Sequence, residues 1–168
     1  DRIWHDGLFY KLHKLGVQGH VWHLLHQCYT NSTAFVSYGG EHSDTYAVHQ
    51  GVGQGRVISA WFFLVFINDL ITAVREENSG IQDHGIDIPT VLLADDTTLV
   101  STTPRGLQSL LHVVHDYASK WRLTYNPSKS TVIRFSKGKP KQLTHDLKLG
   151  SFTIPMSTST VYGGVHIT

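Results

Sequence analysis

Apolar residues recur at helical spacing in three segments of the chain, and a fourth segment is apolar on nearly every side. The three periodic segments predict helices within residues 7–15, 19–31 and 106–126. The fourth predicts a buried helix from about Ser59 to Val74, with Ser59 as a candidate N-cap. The most regular pattern is that of residues 106–126, whose apolar positions are Leu107, Leu110, Leu111, Val114, Tyr117, Ala118 and Trp121.

Segments rich in strand-forming residues separate these helices. A hairpin is predicted within residues 33–50 around Gly39-Gly40, and another within residues 90–101, where Asp95 and Asp96 lie at the bend. A loop or short ribbon is predicted between them, at residues 79–89. Further strands are predicted in STVIRFS, LKLG, FTIP and YGGVHIT. This order predicts an α+β fold, in which one domain of residues 1–168 forms an antiparallel sheet with helices packed on one face.

Composition and charge suit one compact domain but identify no partner. The chain has 168 residues, 40% of them hydrophobic, and a formal net charge of +1. Basic residues concentrate near the C-terminal end, where Asp146 is the only acid among Lys129, Arg134, Lys137, Lys139, Lys141 and Lys148. That stretch either faces phosphates or is a solvated surface. The single cysteine, Cys28, cannot form an internal disulfide, which favours a reducing compartment.

Histidine is abundant, with 12 residues, and His20, His23 and His26 precede Cys28 at short spacing. These spacings do not form the closed set of four ligands that is typical of a structural zinc site. Surface or hydrogen-bonded core histidines are therefore favoured over a zinc site. No uninterrupted apolar run reaches 18 residues, so no membrane partner is predicted.

The adjacent carboxylates of Asp95 and Asp96 have two explanations. Neighbouring residues in an extended strand point to opposite faces, but at the bend of a hairpin they diverge less, so that one can point inward while the other braces the turn or reaches a second cation. Mg²⁺ prefers oxygen ligands and is usually held by one or two carboxylates together with substrate phosphates. Aspartate is also a common turn residue, so the hairpin alone does not decide between a metal site and a simple turn.

The segment GVGQGRVIS, residues 51–59, is a glycine-rich turn that precedes the apolar helix. It lacks the Gly-Lys-Ser ending of a phosphate-binding P-loop. Glycines at alternate positions allow close approach of the backbone to another group, and Gln54 can both donate and accept hydrogen bonds. Taken alone, the segment fits equally well a turn that only introduces the helix.

The order of these segments resembles the palm of a reverse transcriptase, and more narrowly that of the non-LTR (LINE-type) retrotransposon enzymes. The resemblance rests on GVGQG before a buried helix, INDL, LADD in an apolar hairpin, WRLTYNPSKS after an amphipathic helix, and FSK. The opening DRIWHDGLFYKLHKLGVQG resembles the segment after the first catalytic motif of that family. The resemblance implies a polymerase palm with part of the fingers and the start of the thumb connection at about residues 147–168.

The resemblance also implies a two-metal nucleotidyl transfer. Asp95 and Asp96 match the aspartate pair of the catalytic hairpin and would bind Mg²⁺ (Mn²⁺ is possible), Asp95 more directly. The primer 3′-hydroxyl would attack an α-phosphate while two metal ions stabilise the attacking and leaving oxygens. The implied partners are an RNA template, a DNA primer and deoxynucleoside triphosphates, and the implied location is an intracellular ribonucleoprotein, nuclear or cytoplasmic.

Other positions match the substrate-binding parts of the family. Gln54 and Gly55, with Gly53 beside them, match the turn that lines the pocket for the incoming nucleotide and the template base. Lys129 matches the lysine that is suggested to act as general acid toward the leaving pyrophosphate, and Asn126 is expected to shape its loop.

The chain departs from the family pattern at several positions. An aromatic residue usually precedes the alanine of the hairpin and contacts the primer end, and here that residue is Leu93. Proline is usual at the positions of Gly53 and Ala60, which predicts a looser turn, and Arg56 stands where a small residue is common.

The pattern D-x-x-x-A-F-D of the family carries a further metal-binding aspartate at its start, and Asp1 matches its last residue. The chain is therefore expected to be truncated at both ends and unable to polymerise alone. Asp1 and Asp6 are not expected to substitute for it, because both lie at the start of a helix, where acids interact favourably with the helix dipole. The alternatives are a non-catalytic nucleic-acid-binding module derived from a retroelement, a metal-dependent hydrolase or zinc protein, and a structural domain in which the aspartates only make a turn.

Overall fold

The computed structural model describes residues 2–136, 138 and 146–168. Its helices are α1 (His5–Lys14), α2 (Gly19–Gln27), α3 (Val57–Glu76) and α4 (Pro104–Trp121), followed by a short 3₁₀ turn at Pro127–Lys129. Each α-helix falls where a helix was predicted, and short strands lie between and after them. The predicted α+β class is confirmed.

The strands pair two by two. Three strand pairs precede the aspartate pair: β2 (Ser37–Tyr38) with β3 (Glu41–His42), enclosed by β1 (Thr33–Ala34) with β4 (Tyr46–Ala47), and then β5 (Ile81–Asp83) with β6 (Ile86–Ile88). The later pairs are β7 (Thr90–Leu93) with β8 (Asp96–Leu99), β10 (Lys148–Leu149) with β11 (Phe152–Thr153), and β13 (Thr160–Tyr162) with β14 (Val165–Ile167). These are antiparallel, whereas β9 (Val132–Ile133) pairs in parallel with β12 (Met156–Ser157). Among the described residues, the pairs do not join into a wider sheet.

Two local predictions were wrong in detail. Ser59 is not an N-cap but the third residue of α3, and it is buried; its amide already donates to the carbonyl of Arg56 at 3.0 Å. The segment YGGVHIT is not one strand, because Gly163 and Gly164 both adopt positive φ and form the turn between β13 and β14. A Gly-Gly pair readily takes this left-handed conformation, which matches the twist of a tight hairpin.

The chain divides into two compact units, which we call unit 1 (Asp1–Asn68 and Trp121–Leu123) and unit 2 (Asp69–Lys120 and Thr124–Thr168). Unit 1 contains α1, α2, β1–β4 and the first part of α3. Unit 2 contains the rest of α3, most of α4 and the remaining strands. The prediction of a single partial polymerase domain remains a prediction.

Unit 1 is built around aromatic side chains. The Phe9 ring makes edge contacts with Trp22, Tyr29 and Phe62, with centroid separations of 5.9, 5.8 and 6.4 Å. Lys11 is buried, with its ammonium 3.7 Å from the ring centroid of Trp121 and donating to the Phe66 carbonyl. A buried cation is tolerated here because a carbonyl and aromatic faces replace the water it has lost.

Helix α3 is not buried all round, contrary to the sequence-based prediction. Phe62, Phe66 and Ile67 are buried, but Val57, Trp61 and Leu64 are 87%, 66% and 52% exposed in the part of the chain that the structure describes. By length and composition this 20-residue helix is apolar enough to cross a membrane. Such a helix is weak evidence for a membrane span, because the core helix of a soluble protein passes the same test.

Unit 2 is organised by α4. Its Leu111 forms a buried cluster with Val132, Leu147 and Ile154, and Leu99, Leu107 and Leu149 pack against this cluster. The side-chain amide of Gln108 donates to the Lys148 carbonyl and accepts from the Lys148 amide, both at 2.8 Å. Helix α4 therefore supports β8, β9 and β10 through apolar contacts and holds β10 through backbone hydrogen bonds as well.

A hydrogen bond joins α4 to α3 inside unit 2. The Tyr117 hydroxyl donates to Asp69 Oδ1 at 2.6 Å. The pKa of Tyr117 is raised well above its ordinary value. Burial of the phenol is the largest cause, and its hydrogen bond to the Asp69 carboxylate is the second. Because the pKa is raised only in the folded state, the stabilisation that protonated Tyr117 contributes is fully present below about pH 10. It is lost as pH rises further.

Tyr117→Phe is therefore expected to lower the free energy of unfolding by about 1–2 kcal/mol at pH 8. Above pH 10 the wild type is expected to lose stability more steeply than this variant, with a difference in slope of up to about 1.4 kcal/mol per pH unit. Urea unfolding between pH 8 and pH 11 measures both effects. Tyr38→Phe is the matched control because Tyr38 is 88% exposed, and equal slopes in wild type and Tyr117→Phe would contradict the assignment.

Candidate active site

The aspartate pair lies at the tip of the β7–β8 hairpin. Leu93 pairs with Asp96, so Ala94 and Asp95 form a two-residue loop, as the predicted strand–turn–strand required. Ala94 has a φ of +51°, a left-handed conformation that costs an L-residue on the order of 1–2 kcal/mol. Backbone strain of this kind is concentrated at functional sites, and no sequence pattern had indicated it.

The two aspartates do not occupy consecutive strand positions. Asp95 is the second loop residue and Asp96 is the first residue of β8, and both side chains are exposed. The strict alternation of strand faces therefore does not separate them. Two exposed carboxylates on one hairpin tip provide the oxygen ligands that Mg²⁺ and Mn²⁺ prefer.

The base of this hairpin is anchored more firmly than its tip. Thr90 Oγ1 donates to the Thr98 carbonyl at 2.9 Å, and the Val100 amide donates to the Pro89 carbonyl at 2.8 Å. Leu99 packs against the buried cluster under α4. The carboxylates are thus exposed to solvent on a ladder whose other end is fixed in the core of unit 2.

Lys129 ends the 3₁₀ turn Pro127–Lys129 and is exposed. Asn126 caps this turn, because its Oδ1 accepts from the Ser128 amide at 3.1 Å and from the Ser128 hydroxyl at 2.7 Å. The Asn126 carbonyl also accepts from the Lys129 amide at 3.2 Å. The prediction that Asn126 shapes the loop is confirmed. Within the described part of the chain, no hydrogen bond or ion pair joins the Lys129 side chain to Asp95 or Asp96.

Tyr125 connects the lysine loop to the aspartate hairpin. It directly precedes Asn126, and its phenol is buried beside the Thr97 side chain, one residue after Asp96. Burial raises the pKa of Tyr125, and the Thr97 side chain opposes this in part. Residues 125–129 and the hairpin therefore belong to one packed region of unit 2, a contact that sequence periodicity did not reveal.

The glycine-rich turn belongs to unit 1, where it is tied to the start of α1. The Gly51 amide donates to the Ile3 carbonyl at 2.8 Å, and His5 Nε2 lies 2.7 Å from the Gly51 carbonyl oxygen. Gln54 and Gly55 form the turn proper; both are exposed, and Gly55 has a φ of +76°. The Gln54 side chain is thus available to solvent, and its role in binding substrate stays a prediction.

Gly53 is covered by Arg56. A Cβ atom at position 53 would lie 2.8 Å from Arg56 Nε and 2.9 Å from its Cδ. The two departures from the family pattern at this turn are therefore in contact, since the larger residue at position 56 lies over the small one at position 53.

Several sequence-based candidates lie outside the described residues or away from the hairpin. Asp1, Lys137, Lys139 and Lys141 lie outside the described residues. Asp6 is in the first turn of α1, as expected, and accepts a hydrogen bond from Trp4 Nε1 at 3.2 Å. In residues 2–136, 138 and 146–168, no group of three His, Cys, Asp or Glu side chains is arranged to hold a metal ion.

Comparison with known proteins gives consistent matches. A family model described as reverse transcriptase (RNA-dependent DNA polymerase) matches residues 1–166. The RNA-directed DNA polymerase from mobile element jockey of Drosophila melanogaster is 28% identical over 141 residues, which is 81% of this chain and 15% of that protein. A protein of the same name from Drosophila funebris is 27% identical over the same fractions of the two proteins. The probable RNA-directed DNA polymerase from transposon BS of Drosophila melanogaster is 26% identical over 99% of this chain and 18% of that protein. The chain spans less than a fifth of these relatives.

The strain at the hairpin tip is testable by substitution. Ala94→Gly is expected to raise the free energy of unfolding by roughly 0.5–1 kcal/mol, because glycine adopts positive φ without the clash that alanine has. Ala60→Gly is the matched control: Ala60 is an exposed residue inside α3, where glycine is expected to cost about 1 kcal/mol. Urea denaturation gives both values, and a loss of stability in Ala94→Gly would rule out the left-handed turn.

Proposed function

This chain belongs to the reverse transcriptase family, and from that membership we propose that it forms the palm part of an RNA-directed DNA polymerase of a non-LTR retrotransposon. The observation that carries the proposal is the Asp95-Asp96 pair at the tip of the β7–β8 hairpin. Two further family-matched parts support the proposal: the capped turn that ends at Lys129 and, in unit 1, the exposed turn at Gln54.

Asp95 and Asp96 are proposed to hold the divalent metal ions, Mg²⁺ or Mn²⁺. Both residues supply hard oxygen ligands, and neither is engaged in an ion pair among the described residues, so both carboxylates are available to a cation. The bound ions would stabilise charge on the oxygens that attack and leave during phosphoryl transfer. The protein would position the metal ions, because the anchored base of the hairpin fixes the positions of the two carboxylates.

Lys129 is proposed as the proton donor toward the leaving pyrophosphate. The Asn126 cap restrains the backbone of Pro127–Lys129, while the lysine side chain stays exposed and accessible to a substrate phosphate. Gln54, Gly55 and Gly53 are proposed to line the pocket for the incoming nucleotide and the template base. The exposed Gln54 amide is suited to contact a base or sugar, since it can both donate and accept hydrogen bonds.

The proposed substrates are an RNA template, a DNA primer and deoxynucleoside triphosphates. Lys129, Arg134 and Lys148 are exposed in unit 2, and exposed basic side chains suit contacts with a phosphate backbone. An intracellular location, in a nuclear or cytoplasmic ribonucleoprotein, is proposed from the resemblance to non-LTR retrotransposon enzymes.

We also propose that residues 1–168 do not extend a primer by themselves. The resemblance assigns a further metal-binding aspartate to the first catalytic motif of the family, and Asp95 and Asp96 are the two that this chain carries in matching positions. Two-metal transfer depends on ligands that hold both ions in fixed geometry. With two carboxylates the chain is expected to bind a divalent cation without completing the catalytic arrangement.

Replacement of the proposed ligands is expected to weaken cation binding. Asp95→Asn and Asp96→Asn should each raise the Mn²⁺ dissociation constant by roughly tenfold or more, because each removes a charged oxygen ligand. Electron paramagnetic resonance of free Mn²⁺ measures this constant. Asp44→Asn, an exposed loop acid of unit 1, is the matched control. Equal affinities in the wild type and both hairpin variants would contradict the metal site and favour a simple turn.

Primer extension tests the proposed inactivity of the isolated chain. The isolated chain, with a primed RNA template, deoxynucleotides and Mg²⁺ or Mn²⁺, is expected to give no templated product. Binding to the primed template should fall steeply with salt, since phosphate contacts release counterions. Templated products that disappear in Asp95→Ala would show that the chain is complete enough to polymerise and would overturn the proposed inactivity.

A further inference from the structure

The C-terminal hairpin touches the strand that leads into the aspartate loop. The Tyr162 hydroxyl donates a long hydrogen bond of 3.3 Å to the Val91 carbonyl. In the turn that follows, Gly163 and Gly164 have φ values of +55° and +81°, so both positions favour glycine for conformational reasons. The β13–β14 hairpin is therefore held against β7 at its turn end.

The two glycines of this turn differ in their surroundings. A Cβ atom at Gly163 would lie 2.7 Å from Leu93 Cδ2, whereas a Cβ atom at Gly164 would have nothing within 4 Å. Carbon atoms in contact are normally about 3.5–4.0 Å apart. A side chain at position 163 would therefore displace Leu93, and a side chain at position 164 would displace nothing.

Leu93 is the residue through which this contact reaches the candidate site. It closes the loop by pairing with Asp96, and it directly precedes the strained Ala94 and Asp95. The loop has only two residues, so any movement of the Leu93 backbone is passed directly to the carboxylates. The position of Leu93 thus bears directly on where Asp95 and Asp96 stand.

We propose that Gly163 is a positioning residue for the metal-binding carboxylates: the absence of a side chain at Gly163 determines where Leu93 lies, and Leu93 determines the position of the Asp95-Asp96 loop. This inference rests on the proposed function, because it assigns Gly163 a role in the cation site proposed for Asp95 and Asp96. Gly163 itself touches neither the cation nor the substrate.

The test compares Gly163→Ala with Gly164→Ala in the full 168-residue chain. Both variants place alanine at positive φ, so both should lower the urea midpoint, and Gly163→Ala should lower it more because of its added clash with Leu93. Only Gly163→Ala should also raise the Mn²⁺ dissociation constant, by on the order of three- to tenfold. Adding Leu93→Ala to Gly163→Ala removes the clash and should bring the constant back to within about twofold of that of Leu93→Ala alone.

A second pair of variants keeps the test decisive should Gly163→Ala fail to fold. Leu93→Ala removes the contact from the other side, and Val91→Ala is its matched control on the same strand, with similar exposure of 45% against 48% for Leu93. Leu93→Ala should weaken Mn²⁺ binding by about threefold or more and Val91→Ala by less than about twofold.

Three results would overturn the inference. Equal Mn²⁺ affinities in Gly163→Ala and Gly164→Ala, or in Leu93→Ala and Val91→Ala, would reject the positioning role and leave the proposed metal site intact. A defect in Gly163→Ala that Leu93→Ala does not relieve would reject the route through Leu93. Mn²⁺ binding in the wild type that does not depend on Asp95 and Asp96 would reject both the proposed site and this inference.

Discussion

The β7–β8 and β10–β11 hairpins of unit 2 depend on the apolar face of helix α4. Their strands have two to four residues each, and an isolated two-stranded hairpin is at best marginally stable in water. Leu111 of α4 supplies the missing stability by burying Val132, Leu147 and Ile154 in one cluster, with Leu99 of the aspartate hairpin packed against it. The candidate site therefore lies on the β7–β8 hairpin, whose rigidity comes more from packing against α4 than from its own few backbone hydrogen bonds.

This arrangement concentrates the unfavourable features at one end of the hairpin. The base is buried and hydrogen bonded, whereas the tip combines a left-handed Ala94 with two adjacent, exposed carboxylates. Exposure lets water screen the repulsion between the carboxylates, so folding does not require a cation. A bound divalent cation would relieve the same repulsion. Local strain and like charge that persist on a well-supported element are typical of functional sites.

Sequence patterns predicted the local structure of this chain well, because helical spacing and turn chemistry are properties of short segments. The helix predicted within residues 106–126 and the hairpin predicted within residues 90–101 both appear in the structure. The exposed face of α3 was not predicted. Hydrophobicity indicates a preference for burial, but it does not tell whether another element packs against residues such as Trp61. The parallel pairing of β9 with β12 and the strain at Ala94 also carry no local signal, since the first joins distant segments and the second depends on the register of the hairpin.

The contact between Leu93 and Gly163 alters how the departure from the family pattern at position 93 is understood. The aromatic residue that is usual there was expected to contact the primer end, so leucine alone would mean a lost contact. In this chain the leucine side chain lies against a position without a side chain, and the two residues are far apart in sequence. Residues in contact are energetically coupled, and the effect of changing one depends on the identity of the other. The effect of Leu93 on the aspartate loop therefore depends on both Leu93 and Gly163, because a wider, planar ring at position 93 would have to fit against the same glycine turn.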